Sequence, residues 1–271
     1  MEQVVETRLA ASGGSWITVE MYGDADAPSL IIVPGSLSDA REWRNVASAI
    51  TAWPCVVVVN RRGRSPSGPQ TDAYSIQTEV EDLKVVLGNF SGANALFGWS
   101  YGGLIVLLAA NEVSMRQVIA YEPVMKPFGQ DALPALKAAT TTTDWSRSVE
   151  VGLRQIACVS DRDVDYLRSN PQIWDQLCRL SMPSYAELLA VNTGPQPDQF
   201  AGLADRIDLI IGQNNRETSP YGTAFENVRA KIEKATVYEM EGQGHLAHIQ
   251  DPRSLAFLID NLARDTTSQK P

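Results

Sequence analysis

Hydrophobic residues along this chain form short continuous runs, and between the runs they recur at every third or fourth position. The continuous runs lie at residues 30–33, 55–59, 118–121 and 207–211. A run without alternation is typical of a strand that is buried on both faces of a parallel sheet. The spacing between the runs is typical of amphipathic helices, for example at residues 78–87. Strands that alternate with helices predict a mostly parallel α/β sheet.

The first two segments of the chain follow a different pattern. Residues 4–9 and 16–22 alternate apolar and polar side chains, and Gly13 and Gly14 lie between them. Alternation predicts strands with one exposed face, and the two glycines favour a turn. We therefore expect an antiparallel hairpin at the edge of the sheet.

The pattern changes again after Pro127. Up to about residue 200 no run is typical of a buried strand, and the helical spacing is interrupted repeatedly by proline. Alternation of strands and helices resumes at residue 207. The sequence therefore predicts a core α/β domain in two parts, residues 1–126 and 201–271, and a helical cap at residues 127–200.

The composition excludes one class of partner. The 271 residues include 23 basic and 32 acidic ones, which gives a formal net charge of −9. Such a balance argues against nucleic acid as a partner, and no basic cluster favours a membrane surface. The one basic run comprises Arg61, Arg62 and Arg64, for which we expect a solvated or ion-paired loop rather than a phosphate site.

The cysteines and the first residues indicate the cellular compartment. Cys55, Cys158 and Cys178 are too few and too scattered for a disulfide framework or a metal site. Residues 1–6 lack the basic and apolar regions of a signal peptide, and no apolar run has the length of a membrane span. A cytoplasmic location is therefore expected.

The strongest candidate for chemistry is a serine between two glycines. Gly98-Trp99-Ser100-Tyr101-Gly102 fits the pattern Gly-x-Ser-x-Gly and lies between an apolar run that ends at Phe97 and a second one. This context predicts a strand, a tight turn and a helix, which together raise the serine hydroxyl to the carboxyl edge of the sheet as a nucleophile. A glycine-rich turn whose serine has no role is the alternative.

A serine nucleophile needs a base, and this chain contains only two histidines. His245 follows the last predicted strand, so it is expected at the same sheet edge as Ser100 and is the candidate base. His248 is expected in or beside the next helix, with a structural role. The oxyanion hole needs two N–H donors. We assign them to Tyr101, directly after the nucleophile, and to Ser36, in the loop after the run at residues 30–33.

These motifs, in the order Pro34-Gly35-Ser36, Arg62-Gly63, the Ser100 pentapeptide and Gly244-His245, resemble the α/β-hydrolase family. The resemblance covers essentially the whole chain. It implies an eight-stranded sheet, a variable cap, a Ser-His-acid triad and no cofactor or metal.

Two positions depart from the family pattern. The family usually carries His-Gly where this chain has Pro34-Gly35, and because that histidine mainly supports the loop, its loss is expected to matter little. The acid of the triad usually follows the penultimate strand, where this chain has Asn215. A neutral amide at that position costs about 10⁴ in kcat in the serine-protease template.

Glu122 is the candidate for the missing acid. It ends the strand that follows the nucleophile helix, so its carboxylate starts at the catalytic edge. Some haloalkane dehalogenases place the acid there, as do lactonases that resemble the zearalenone hydrolase. The latter also have a proline in place of the loop histidine. A structural residue at the end of the strand is the alternative, in which case Asn215 alone would orient His245.

The expected reaction is hydrolysis of a small-molecule ester or lactone through an acyl-enzyme. A serine nucleophile argues against the covalent-aspartate chemistry of dehalogenases and epoxide hydrolases. Two alternatives remain open: a non-hydrolytic or C–C-bond-cleaving enzyme of secondary metabolism, and a ligand-binding receptor on the same fold. The aromatic side chains expected to line an apolar substrate pocket are Trp99, Trp145, Trp174 and Tyr185.

Overall fold

A sheet of eight strands lies at the centre of the computed structural model, which describes residues 4–267. Its order is β1-β2-β4-β3-β5-β6-β7-β8. The strands are β1 Val5–Ala10, β2 Trp16–Gly23, β3 Ser29–Val33, β4 Cys55–Asn60, β5 Ala93–Trp99, β6 Gln117–Tyr121, β7 Ile207–Gly212 and β8 Ala235–Met240. Residues 1–3, on which the expected lack of a signal peptide partly rests, and residues 268–271 lie outside the described residues.

The strand directions agree with the sequence pattern. β2 pairs antiparallel with both β1 and β4, and every other neighbouring pair is parallel. β1 lies at one edge of the sheet, as the alternating first segments predict. The prediction of a mostly parallel eight-stranded α/β sheet is therefore confirmed.

The continuous apolar runs arise because each central strand faces two hydrophobic cores. In β3, Ile31 and Val33 pack into the core on one face of the sheet, whereas Leu30 and Ile32 pack into the core on the other. Successive side chains of a strand point to opposite faces, so a strand covered on both sides has few polar positions. β8, at the other edge of the sheet, has mostly exposed or half-buried residues.

Helices cover both faces of the sheet. The α-helices among the described residues are α1 Arg44–Ala47, α2 Ile76–Asn89, α3 Tyr101–Ala109, α4 Leu133–Thr141, α5 Trp145–Val151, α6 Asp161–Ser169, α7 Pro171–Ser181, α8 Ser184–Thr193, α9 Tyr221–Arg229, α10 Ala247–Gln250 and α11 Pro252–Thr267. Short 3₁₀ turns occur at Ser12–Gly14, Ala40–Trp43, Gln130–Ala132 and Gln213–Asn215, and a π-helical turn occurs at Gly152–Ile156.

The helices α4 to α8 lie in sequence between β6 and β7. They contain a small hydrophobic cluster of their own, around Val149, Val164 and Trp174. They also contribute Leu136 and Leu188 to the core on the face of the sheet that carries Ile31 and Val33. The periodicity did not predict α6, because its sequence is mostly polar and Val164 is its one buried residue. The boundaries of the predicted core and cap stay a prediction.

Among residues 4–267, no helix combines the length and the apolar character that are needed to cross a membrane.

Candidate active site

Ser100 occupies a sharp turn between β5 and α3, as the pentapeptide predicts. Its backbone has φ 56° and ψ −118°, a conformation that is costly for a residue with a side chain. The Ser100 N–H donates a hydrogen bond of 2.9 Å to the carbonyl oxygen of Tyr121 in the neighbouring strand. The surrounding structure therefore holds the serine in a strained position at the carboxyl edge of the sheet.

The two glycines of the pentapeptide are required by close backbone contacts. A Cβ atom on Gly98 would lie 2.3 Å from the carbonyl oxygen of Gly102. A Cβ atom on Gly102 would lie 2.0 Å from the carbonyl oxygen of Val33, at the end of β3. Because no side chain fits at either position, the turn can close tightly and the loop after β3 reaches the start of α3.

That loop lies directly beside the nucleophile. A Cβ atom on Gly35 would come within 2.8 Å of the Trp99 carbonyl oxygen and 2.9 Å of the Ser100 Cβ. The next residue along the loop is Ser36, and Tyr101 opens α3 on the other side of Ser100. The two predicted oxyanion donors therefore belong to segments that flank the serine.

Glu122 follows β6 at the same edge of the sheet and is fully buried. Its φ of 42° is unusual for a residue with a side chain, and its N–H donates to the Ile210 carbonyl at 2.9 Å. Its Oε2 atom lies 2.6 Å from Nδ1 of His245. The contact fixes the orientation of the imidazole and leaves Nε2 as the nitrogen that is available for proton transfer.

Asn215 does not compete with Glu122 but binds to it. The Asn215 side-chain amide donates to both carboxylate oxygens of Glu122, at 3.0 and 2.9 Å, and the Gly212 N–H donates to Oε1 at 2.9 Å. A buried carboxylate is destabilised unless its oxygens are hydrogen-bonded, and these donors satisfy them. The position where the resemblance leads one to expect an acid therefore holds a donor to the acid candidate instead.

The loop that carries His245 is anchored by two aromatic side chains. Trp99 donates its indole N–H to the His245 carbonyl at 2.7 Å, and the Tyr121 hydroxyl donates to the Gly244 carbonyl at 2.6 Å. These two residues immediately precede Ser100 and Glu122. The segments that carry all three candidate groups are thus linked directly to one another.

Tyr221, which the sequence analysis did not single out, stacks on His245. The two ring centroids are 3.5 Å apart and the rings are inclined by only 13°. Tyr221 begins α9, and no motif or periodicity distinguishes it from other tyrosines of the chain. The Glu122 contact alone leaves the imidazole free to tilt. The stacked Tyr221 ring restricts that tilt from one face of the imidazole.

The four predicted substrate-binding aromatics lie in different surroundings. Trp99 contacts His245, with 4.7 Å between the ring centroids. Trp174 belongs to the hydrophobic cluster of the helices between β6 and β7 and donates to Ser146. Tyr185 packs against the main core, and Trp145 begins α5. A role in binding substrate stays a prediction for all four.

The basic run after β4 is ion-paired but not solvated. Arg61, Arg62 and Arg64 are all buried. Arg62 donates two hydrogen bonds of 2.6 Å to Asp82 in α2, and Arg64 makes a bidentate pair with Glu187 in α8. Of the two expected alternatives, the ion-paired run is therefore confirmed and the solvated loop is wrong, because acidic residues from distant helices neutralise the run inside the protein.

His248 lies in α10, as predicted, and is buried behind the site. Its ring stacks on Trp43 with 4.6 Å between centroids and contacts Trp99 at 4.3 Å. Neither ring nitrogen has a hydrogen-bond partner among the described residues. Burial, with a smaller contribution from His245, lowers the pKa of His248 to about 3. His248 therefore stays neutral in the folded protein.

Replacing His248 with phenylalanine is expected to reduce the loss of stability on acidification. Below the ordinary pKa of 6.5, the unfolded chain takes up a proton at this residue that the folded protein does not. At about 1.4 kcal/mol per pH unit, wild type is expected to lose about 2 kcal/mol from this residue between pH 7 and pH 5. Urea unfolding at both pH values measures the difference, and an equal loss in both proteins would contradict the expectation.

Comparison with known proteins identifies a matching family. A family model described as "Alpha/beta hydrolase family" matches residues 30–256. Among curated proteins, an uncharacterised hydrolase of Bacillus subtilis, YraK, is 29% identical over 103 residues. That match covers 36% of this chain and only 38% of the length of the relative.

Solved structures of similar fold extend over nearly the whole chain. An alpha/beta hydrolase from Sphaerobacter thermophilus has a TM-score of 0.76 and 22% identity, over 94% of this chain and 99% of its own. An esterase from Exiguobacterium antarcticum has a TM-score of 0.75 and 15% identity, over 96% of this chain and 100% of its own. At these identities the likeness shows the fold alone.

Proposed function

This chain belongs to the alpha/beta hydrolase family, and we propose that it is a serine hydrolase that cleaves a carboxylic ester or a lactone through an acyl-enzyme. The observation that carries the proposal is the 2.6 Å contact between Glu122 and His245 at the sheet edge where Ser100 occupies its strained turn. The proposed catalytic residues are Ser100, His245 and Glu122.

The chemistry begins with attack of the Ser100 hydroxyl oxygen on the carbonyl carbon of the substrate. Nε2 of His245 accepts the hydroxyl proton, and the Glu122 carboxylate at Nδ1 stabilises the imidazolium that forms. The backbone N–H groups of Ser36 and Tyr101 donate to the negative oxygen of the tetrahedral intermediate. When the intermediate collapses, the bond to the alcohol oxygen breaks, and that oxygen takes the proton from His245.

Water then hydrolyses the acyl-enzyme by the same steps. His245 accepts a proton from the water as its oxygen attacks the acyl carbon, and it returns the proton to Ser100 as the acid leaves. A lactone differs from an open ester only in that its alcohol remains tethered, so the same groups serve both substrates. Two features favour a lactone as substrate: the position of Glu122 after β6 and Pro34 in place of the loop histidine, both of which resemble lactonases.

Covalent labelling tests the proposal. A fluorophosphonate is expected to modify Ser100 in a ratio of one label per chain and to abolish the release of p-nitrophenol from p-nitrophenyl esters in proportion. Peptide mass spectrometry locates the label, and the protein unfolded in urea before labelling is the control, since an activated serine requires the folded site. Turnover of esters by a protein whose Ser100 stays unmodified would contradict the proposal.

Lactone hydrolysis needs a separate assay. Acid release from a δ-lactone and from a macrocyclic lactone can be followed at constant pH by titration with base. Activity on open esters with none on either lactone would remove the lactone from the proposal and leave the esterase.

A further inference from the structure

The side chain of Arg61 donates to the backbone of the loop that carries Ser36. Arg61 directly follows β4, and its side chain is 1% exposed. Nε donates to the Pro34 carbonyl and Nη2 donates to the Gly35 carbonyl, both at 2.8 Å. Two of the five N–H groups of the guanidinium are thus used to hold consecutive backbone carbonyls.

The second of these contacts determines the direction of an N–H group. The Gly35 carbonyl and the Ser36 N–H belong to the same peptide unit, which is planar and trans, so the two groups point in opposite directions. When Arg61 fixes the carbonyl on one side, the Ser36 N–H is aimed away from Arg61 on the other. A cation at the carbonyl oxygen also polarises the amide, which makes its N–H a stronger donor.

The same guanidinium contacts the other side of the proposed oxyanion hole. Its central carbon lies 4.8 Å from the centre of the Tyr101 ring. The Tyr101 hydroxyl is within 3.2 Å of the Tyr74 hydroxyl, which donates to Glu79. Arg61 therefore contacts the peptide unit that carries the Ser36 N–H, through the Gly35 carbonyl, and the side chain of Tyr101.

Acidic side chains from two helices hold Arg61 in place. Nη1 lies 2.7 Å from Glu79 in α2 and 2.9 Å from Glu187 in α8, and Glu187 also pairs with Arg64. Burial alone would raise the pKa of Glu187, but Arg61 and Arg64 outweigh that effect and hold it at about 2. The cluster thus contains two cations and two acidic side chains, all of them buried.

Glu187 also lies near the oxyanion loop. The Ser36 side chain helps Arg61 and Arg64 to lower the pKa of the Glu187 carboxyl, and Glu187 acts on the loop mainly through its ion pair with Arg61. A residue from the helices between β6 and β7 therefore contributes to the placement of a backbone donor in the core of the protein.

We propose that Arg61 is a positioning residue of the oxyanion hole and that Glu187 supports it. Arg61 fixes the direction and the donor strength of the Ser36 N–H, and Glu187 fixes the guanidinium. This inference rests on the proposed function, since an oxyanion hole has a role only if Ser100 forms an acyl-enzyme.

The variant Arg61→Lys tests the inference, with Arg62→Lys as its matched control. Both keep the charge at a buried position and remove a guanidinium, but Arg62 pairs with Asp82 and donates to none of the loop carbonyls. Removal of one oxyanion donor costs about 10²–10³ in kcat, so misplacing one is expected to cost Arg61→Lys about 10- to 100-fold. The KM of Arg61→Lys and both constants of Arg62→Lys are expected to stay within about threefold of wild type.

Inhibitors separate positioning from a general loss of structure. A trifluoromethyl ketone forms a tetrahedral adduct with a negative oxygen, whereas the carboxylic acid product of the ester does not. Arg61→Lys is expected to raise the inhibition constant of the ketone by the same factor by which it lowers kcat. The inhibition constant of the product is expected to stay unchanged. Equal weakening of ketone and product, or equal kcat values for the two lysine variants, would overturn the inference.

A second variant covers the case in which Arg61→Lys does not fold. Glu187→Gln keeps the Arg61 bonds to the loop but removes a counter-charge, so a smaller effect in the same direction is expected. We expect kcat to fall about fivefold and the inhibition constant of the ketone to rise about fivefold. No change in either would overturn the role of Glu187 and, with it, the inference. Failure of wild type to hydrolyse esters or to be labelled at Ser100 would instead contradict the proposed function.

Discussion

Replacing Glu122 with glutamine is expected to lower kcat for ester hydrolysis about 10⁴-fold with little change in KM. The amide keeps the size of the side chain but carries no charge to stabilise the imidazolium of His245. Its NH₂ group can also donate to Nδ1, which would place the proton of the neutral imidazole on Nε2, where the base must accept one. Steady-state kinetics with a p-nitrophenyl ester measure the loss.

Asn215→Ala is the control for this variant. It removes the two hydrogen bonds that the amide donates to Glu122 but leaves the Gly212 N–H and His245 in place. A loss of about tenfold in kcat is expected, at about 1.4 kcal/mol for each factor of ten. If Asn215→Ala lost more activity than Glu122→Gln, Asn215 would be the residue that orients His245.

The features that the sequence predicted well are local. The turn at Ser100 depends on five consecutive residues and on the apolar runs on either side, so a motif describes it completely. The buried strands follow from continuous apolar runs, and only two histidines had to be considered as the base. In each case the residues that determine the structure are neighbours along the chain.

The contacts around Glu122 could not be predicted in the same way. Glu122 is separated from Asn215 by 93 positions and from His245 by 123 positions. The sequence places the ends of their strands at one sheet edge. The direction of the Glu122 side chain, however, depends on its left-handed backbone, which the sequence does not predict. From the sequence alone Asn215 is therefore an alternative to Glu122, whereas in the structure its amide is a donor to that carboxylate.

Arg61 shows the same limit for charged residues. A basic run in a loop predicts solvent exposure when only its neighbours in sequence are considered. Its counter-charges, Glu79 and Glu187, lie on helices that meet the run only after the chain has folded. The loop after β3 lacks the histidine that the family resemblance leads one to expect, and Arg61 supports the carbonyls of Pro34 and Gly35 from outside the loop.

Replacing Ser100 with alanine is expected to cause the largest loss, about 10⁶-fold in kcat. Alanine removes the nucleophile and leaves the oxyanion donors and the binding pocket. The variant is therefore expected to hydrolyse the ester about 10³–10⁴ times faster than the uncatalysed reaction in water. Because His245 and Glu122 act on the Ser100 hydroxyl as it attacks, the three residues are expected to act as one unit.

The double variant Ser100→Ala with Glu122→Gln tests that unity. Its kcat is expected to match that of Ser100→Ala within about threefold, since the charge on Glu122 no longer assists any step once the nucleophile is absent. Residual rates are measured with purified protein from a strain that lacks the wild-type gene, and circular dichroism verifies folding. A structural glutamate would give the opposite result: glutamine at position 122 would then lower the residual rate and the unfolding temperature by the same amounts with or without the Ser100 hydroxyl. Independence of the two substitutions would therefore reject Glu122 as the acid even if Glu122→Gln alone were nearly inactive.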